Sequence, residues 1–223
     1  KKEKSTVELT IQVEAQEFED AVQKAYLKNR AHISVPGFRK GKAPRKIIEG
    51  MYGSGVFYED AIEELYPSAY AEAVEQEKLD LILEAGRNAP TAHNNQPQRI
   101  FVFRSPEALE KADACMDCHF HAPVVIGVGY DPKESWHREH DGKDHGEIDA
   151  AIAVTQMMLQ AADLGLGTTY VGMFDPEKLT AAFPEMAGLV PIAMLPLGYP
   201  AEGAHPARLH TDRKPMEQLV KYL

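Results

Sequence analysis

The sequence predicts an α+β chain, and three observations carry that expectation. Apolar Val7, Leu9, Ile11 and Val13 alternate with Glu8, Thr10 and Gln12, the period of two that marks a half-buried strand. Short apolar runs of strand length recur at residues 99–103, 123–130 and 191–198. Segments of helical spacing separate them, and strands interleaved with helices argue for α+β or α/β.

The elements follow in order. After the strand over 7–13, Phe18, Val22, Ala25 and Tyr26 keep helical spacing among charged residues. Pro36-Gly37 breaks that pattern, and Gly41 and Pro44 prolong the break. Pro44 suits the first turn of a second helix, with Ile47, Ile48 and Met51 on one face. Gly53-Ser54-Gly55 separates it from a third helix carrying Ala61, Ile62, Leu65, Ala69, Ala73 and Val74, which Pro67 is expected to kink or restart. Helical spacing continues through Leu79, Ile82, Leu83 and Ala85 until Asn88-Ala89-Pro90 stops it. Residues 148–164 form a helix that is apolar nearly all round, the pattern of a core or subunit-interface helix.

Composition excludes several classes. Apolar residues make up 44% and charged residues 26% of 223, ordinary for a globular chain. No run reaches the roughly 18 apolar residues that a membrane helix needs. The start, Lys-Lys-Glu-Lys-Ser-Thr, lacks an apolar signal core, and two cysteines fit a reducing compartment, so a cytoplasmic location is expected. A net charge of -10 argues against a general nucleic-acid binder, and no DNA partner is expected. The charge is uneven, however. Residues 21–48 hold eight Lys/Arg (Lys24, Lys28, Arg30, Arg39, Lys40, Lys42, Arg45, Lys46) and no acid, whereas residues 59–80 hold eight acids and one Lys.

The basic segment is the first functional signal. Residues 36–46 read Pro-Gly-Phe-Arg-Lys-Gly-Lys-Ala-Pro-Arg-Lys. Two glycines permit tight turns, five cations project, and Phe38 is an apolar residue such a loop would expose. This suits RNA phosphates or an acidic protein surface, with a solvated loop as the plain alternative. Gly37-Phe38-Arg39-Lys40-Gly41-Lys42-Ala43-Pro44 resembles the G-F-R-x-G-x-x-P signature of the trigger factor ribosome-binding domain, over about residues 5–80. The resemblance implies docking beside the ribosomal exit tunnel through Gly37, Phe38, Arg39, Lys40, Gly41 and Lys42. That family continues with further strand after the acidic helix, and none is evident here. Nothing in the residues points to its prolyl isomerase domain or its helical chaperone body.

The second signal lies further on. Ala89-Pro90-Thr91-Ala92-His93-Asn94-Asn95-Gln96-Pro97 offers backbone N–H groups, amides and a hydroxyl to a polar ligand. Asp163-Leu164-Gly165-Leu166-Gly167-Thr168-Thr169-Tyr170-Val171-Gly172 places three glycines after the apolar helix, where they admit a ligand or another helix. Gly198-Tyr199-Pro200 and Arg213-Lys214-Pro215 follow. In this order the segments resemble the FMN-dependent nitroreductase family over about residues 77–223, with Asp149 as the acid that opens the apolar helix. The resemblance implies an intertwined homodimer with FMN at the subunit interface. Pro90, Thr91, Asn94 and Gln96 would lie near the isoalloxazine or ribityl, Val171, Gly172 and Met173 on its other side, and Arg213 at the phosphate. It also implies ping-pong hydride transfer, NAD(P)H to flavin and then flavin to a nitroaromatic, quinone or similar acceptor, with no conspicuous protein acid, base or nucleophile.

One departure stands out. Nitroreductases open with an R-R-S-x-R helix that contacts the FMN phosphate and ribityl, and the trigger-factor-like sequence occupies its place. Two charge-assisted hydrogen bonds are worth roughly 1.5–3 kcal/mol each. Their loss is expected to weaken FMN by roughly two to four powers of ten. The expected architecture is thus a trigger-factor-like α/β segment of strand plus helices over residues 1–80, then a nitroreductase-like α+β sandwich over 81–223 without its first helix. Both parts are expected to be truncated. They meet on Glu77-Lys78-Leu79-Asp80, a word that suits either family, as in a chimeric gene product or a selected fusion.

Two weaker features remain. Cys115-Met116-Asp117-Cys118-His119 matches a c-type haem attachment pattern, but covalent haem requires export. Cys115, Cys118, His119 and His121 are zinc-type ligands in a tight spacing with no second Cys pair, so no metal is expected. His137, His140 and His145 fall in a charged run expected to be a solvated loop, beside which Trp136 could stack on an acceptor.

Overall fold

A computed structural model describes residues 9–223, with the side chain of Arg208 left aside. The chain divides into two compact units, residues 1–80 and 81–223.

The first unit is helical. Helix α1 (Ala15–Asn29) buries Ala21, Val22, Ala25 and Tyr26, the stripe that helical spacing gives. Helix α2 (Arg45–Tyr52) begins just after Pro44 and buries Ile48, and α3 starts at Tyr58. These residues close a core with Val35, Ala43, Phe57 and Ala61. The Tyr26 hydroxyl donates to the Ala43 carbonyl at 3.0 Å, and its ring meets Phe57 edge to face. At the surface the Arg45 guanidinium bridges Glu19 and Glu49, Asn29 donates to Asp60 at 2.9 Å and Lys24 pairs with Glu64.

Two local expectations change here. Val7 lies outside the described residues, and residues 9–14 form no strand, although Leu9, Ile11 and Val13 are half-buried and their neighbours exposed. The alternation is real, but a strand needs a ladder partner, and among the described residues of this unit there is none. Helix α3 (Tyr58–Arg87) runs through Pro67 without ending. The Ser68 hydroxyl donates to the Leu65 carbonyl beside the proline. The division between the units falls within this helix.

The second unit is built on an antiparallel sheet. Its elements are β1 (Gln98–Phe103), α4 (Pro106–Asp113), β2 (Val124–Tyr130), α5 (Gly146–Asp163), β3 (Gly167–Thr168), α6 (Pro176–Ala182), β4 (Val190–Gly198) and α7 (Met216–Leu219). The sheet order is β1-β2-β4-β3. The three apolar runs of the sequence are its three long strands, and only the two-residue β3 escapes a hydropathy reading.

Strand alternation sends the two faces into two layers. Phe103, Val125 and Met194 join Ala112, Cys115, Met116, Leu179 and Met186 beneath α4 and α6. Ile100 pairs with Val128 and faces the other way. There Gly86 lies so close to Met157 of α5 and to Ile100 that an added Cβ would sit within 3.0 Å of both. Helix α5 turns Ala150, Ala153, Val154, Met157 and Ala161 inward and leaves apolar Leu159 exposed on the opposite side. Ser105 and Asp175 cap α4 and α6 by accepting from the Ala108 and Lys178 amides.

Candidate functional site

The chain between α3 and β1 is a strained loop. His93, Asn94 and Gln96 have φ of 53°, 57° and 54°. None is glycine, and left-handed backbone costs such residues about 1–3 kcal/mol each unless their surroundings enforce it. Several anchors do so. The Asp149 carboxylate accepts from the Ala92 amide at 3.0 Å, and the Thr91 hydroxyl accepts from the Gln96 amide at 3.1 Å. Asn95 donates to the Glu134 carbonyl at 3.0 Å.

Aromatic stacking adds a further hold. The His93 ring lies on Trp136 at 5.2 Å and 16°, and Trp136 meets His145 edge-on at 4.8 Å. The charged run 136–145 is therefore not merely a solvated loop. It folds back as a hairpin, with Arg138 N donating to Lys143 O and His145 N to Trp136 O, and so turns its aromatic end inward. Alternating charge hid this packing in the sequence, because only the pairing of the hairpin arms brings Trp136 and His145 together.

The first turn of α5 is where the polar loops converge. Asp149, 3% exposed, holds Ala92 from it. Tyr170, in the segment after β3, has its phenol pKa raised by burial and then by the Glu147 charge. Beneath lies a second polar knot. Asp144 accepts from Gly146 N at 2.8 Å and from the Tyr130 hydroxyl at 3.0 Å. Burial opposes its charge, but those donors hold its pKa below the usual carboxylate value. Burial, then Asp144, pushes the Tyr130 phenol up to about 12. Gly146 presses on the Tyr130 ring, where an added Cβ would fall 2.1 Å from ring carbons.

The residues expected to hold a cofactor fall into three groups. Pro90, Asn94 and Gln96 are exposed and Thr91 half-buried along the strained loop. Gly172 and Met173 are exposed, but Val171 is 4% exposed and belongs to the core, exchanging backbone hydrogen bonds with Met194 at 2.9 and 3.0 Å. Val171 thus fixes the start of the Gly172–Met173 surface. Gly172 and Met173 also line an open cleft with Cys115, Asp117 and Lys178. Arg213 is exposed and donates to the Leu209 and Asp212 carbonyls of its own turn, at 3.1 and 2.7 Å.

The ribosome-type residues are placed differently. Val35 and Ala43 are buried and pin both ends of the basic loop. Between them Phe38, Arg39, Lys40 and Lys42 are exposed. Gly37 and Gly41 take φ of 84° and 76°, a region open to glycine without strain.

Two of the four zinc-type residues are otherwise engaged. Cys115 is buried and its thiol donates to the Lys111 carbonyl, while His119 pairs with Asp113. Among the described residues no group of three or more His, Cys, Asp or Glu could hold a metal ion. Nor is any helix there long and apolar enough to cross a membrane.

Fold and loops define the second unit as an α+β protein, with an antiparallel sheet, helices on both faces and polar loops gathered at one helix end. A nitroreductase family protein from Clostridium difficile 630 has this fold at TM-score 0.61 and 36% identity, aligned over 66% of this chain and 85% of that one. The nitroreductase family model matches residues 110–199. Through this unit the chain belongs to the nitroreductase family. A structure from Desulfovibrio desulfuricans, described as a nitroreductase in complex with FMN, aligns at TM-score 0.52 and 29% identity over 66% of this chain and 84% of that one.

The bacterial trigger factor model matches residues 1–105. Trigger factors from Acetivibrio thermocellus and Lachnoclostridium phytofermentans are 60% identical over 79 residues and 45% over 107, or 35% and 48% of this chain. The chain spans about a quarter or less of the length of these relatives, 18% and 24%. The trigger factor match continues past residue 80 across β1, a strand that pairs with β2 of the second unit. The match thus extends beyond the residues 5–80 over which the signature and its flanks carry the resemblance.

Proposed function

We propose that the second unit is an FMN-dependent NAD(P)H oxidoreductase that works as a homodimer in the cytoplasm. The carrying observation is the anchored loop 89–97, with its strained backbone, its half-buried Thr91 and its exposed Asn94 and Gln96 amides. The donor set suits a flavin: Thr91, Asn94 and Gln96 offer hydrogen bonds of both senses to a heteroaromatic edge or a polyol. Asp149 Oδ2 and His145 Nε2, both buried and without a hydrogen-bond partner among the described residues, lie at the base of the same helix turn. Likeness to FMN-bound relatives supports the reading.

Bound flavin would supply two-electron transfer between NAD(P)H and a nitroaromatic, quinone or similar acceptor. The chain's own part is to bind and orient. Pro90, Thr91, Asn94 and Gln96 would hold one side and Gly172 and Met173 the other, with Val171 fixing their backbone. Arg213 would meet the phosphate once released from its own turn. Arg99, near the loop, is committed to Glu134 and to the Gln96 and Gln98 carbonyls. This favours weakened rather than tight FMN binding. The test is NAD(P)H oxidation with menadione or a nitrofuran, with and without added FMN. Turnover that appears only with added FMN supports the reading, and no turnover at saturating FMN refutes it.

A second reading concerns the first unit. The basic loop docks on the ribosome through Gly37, Phe38, Arg39, Lys40, Gly41 and Lys42, carried by its two buried anchors and exposed cations. Salt-sensitive cosedimentation with ribosomes tests it. The two readings are compatible as a selected fusion of two truncated parts (residues 1–80 and 81–223). If the chain is a chimera, neither activity need survive.

A further inference from the structure

The strained loop and the buried carboxylate beneath it raise a question that donor chemistry alone leaves open. Three left-handed non-glycine residues lie within four positions, so the loop holds its shape only where it is tied down. One tie is internal, from Gln96 N to Thr91. A second reaches the carbonyl of Glu134. The third comes from α5, a rigid element of the fold, and is made by a side chain that is 3% exposed.

We propose that Asp149 is the positioning residue of this site. Its carboxylate holds the Ala92 amide and thereby fixes loop 89–97 in the form that presents Thr91, Asn94 and Gln96 to the flavin. The inference rests on the flavin reading for its ligand but not for its geometry. Asp149 sits in the first turn of α5, where the helix dipole favours a carboxylate, so the acceptor is stable where it stands. His145, one turn earlier, supports the same loop through Trp136 and His93. Asp149 acts through Ala92 and is not a catalytic residue.

The carboxylate's second oxygen gives the proposal a sharp test. Oδ2 has no hydrogen-bond partner among the described residues. In Asp149→Asn the amide oxygen still accepts from Ala92, and the amino group replaces an oxygen that bonds to nothing. Asp149→Ala removes the acceptor. Two quantities are read for each variant: hydrogen exchange of the Ala92 amide without flavin, and the FMN dissociation constant from fluorescence quenching.

Asp149→Ala is expected to speed Ala92 exchange and weaken FMN by about tenfold to a hundredfold each, the worth of one hydrogen bond to a charged group. Asp149→Asn keeps the acceptor but loses the charge, so it is expected to fall between the parent and Asp149→Ala in both. A purely structural role would lower the melting temperature of Asp149→Ala and leave its FMN affinity unchanged, which overturns the proposal. Equal damage from Asn and Ala also overturns it. If Asp149→Ala fails to fold, an unprotected Ala92 amide in the parent or in Asp149→Asn is enough to overturn it. If the parent binds no FMN, the flavin reading fails, while the exchange measurement still decides whether Asp149 sets the loop.

Discussion

Two loops in this chain solve the problem of a sharp backbone turn in opposite ways. The basic loop places glycine where φ is positive, at Gly37 and Gly41, and is pinned only at its ends by Val35 and Ala43. The loop 89–97 places His93, Asn94 and Gln96 there and ties them from below. The first arrangement leaves cations and Phe38 free to meet a large partner of any local shape. The second fixes polar groups in one geometry, as recognition of a small ligand requires. The contrast matches the two readings proposed above, a docking loop in one unit and a ligand-holding loop in the other.

The comparison can be broken at several points, and the largest effect is expected at the basic loop. Replacing Phe38, Arg39 and Lys40 together with Ala removes the exposed tip while leaving Val35 and Ala43 in the core. Ribosome cosedimentation is expected to fall by about tenfold or more, with the log–log salt slope reduced by about two, one per cation removed. Unchanged sedimentation would remove the docking role.

Next comes the base of the anchored loop. Gly146→Ala drives a Cβ into the Tyr130 ring, and overpacking of this kind costs about 1–3 kcal/mol. The melting temperature of the second unit is expected to drop, and a neutral result would mean that the α5 terminus is looser than its packing implies. At the basic loop, Gly37→Ala meets nothing within 4 Å but keeps a positive φ, which costs about 1–2 kcal/mol. That strain is carried by the folded chain, so the melting temperature is expected to drop here too, by a similar or smaller amount.

The smallest effect is electrostatic. Tyr130 has its phenol raised from 10.0 to about 12 by burial and by Asp144. A raised pKa means that the folded state keeps its proton longer than the unfolded one. Tyr130 therefore contributes stability that is complete below pH 10.0 and is lost as pH rises toward about 12. Tyr130→Phe is expected to abolish that part of the alkaline loss, measured by thermal melts from pH 9 upward. Phenolate absorbance in the parent is expected to show Tyr130 and Tyr170 titrating later than an ordinary tyrosine, and Tyr130→Phe to remove the latest component.

The framework of this molecule was legible because hydrophobic period reports burial directly. Residues 99–103, 123–130 and 191–198 became β1, β2 and β4 with small shifts at their ends. The helix over 148–164 became α5. The basic loop was legible because its glycines, cations and flanking apolar residues all lie within one short segment. What stayed hidden depends on distance in the chain. Asp149 and Ala92 are 57 residues apart, so nothing local marks the carboxylate as buried. The stack of His93 on Trp136 requires the hairpin to close first. The alternation over 7–13 misled because period two reports the faces of a segment and says nothing of a ladder partner.

The most direct test of the account is titration of the purified chain with FMN, followed by gel filtration. The account predicts saturable quenching of flavin fluorescence at one FMN per chain, with the flavin then lost on the column. Stoichiometric FMN retained through gel filtration would contradict the weakened phosphate site, and the absence of saturable quenching would contradict the flavin site itself.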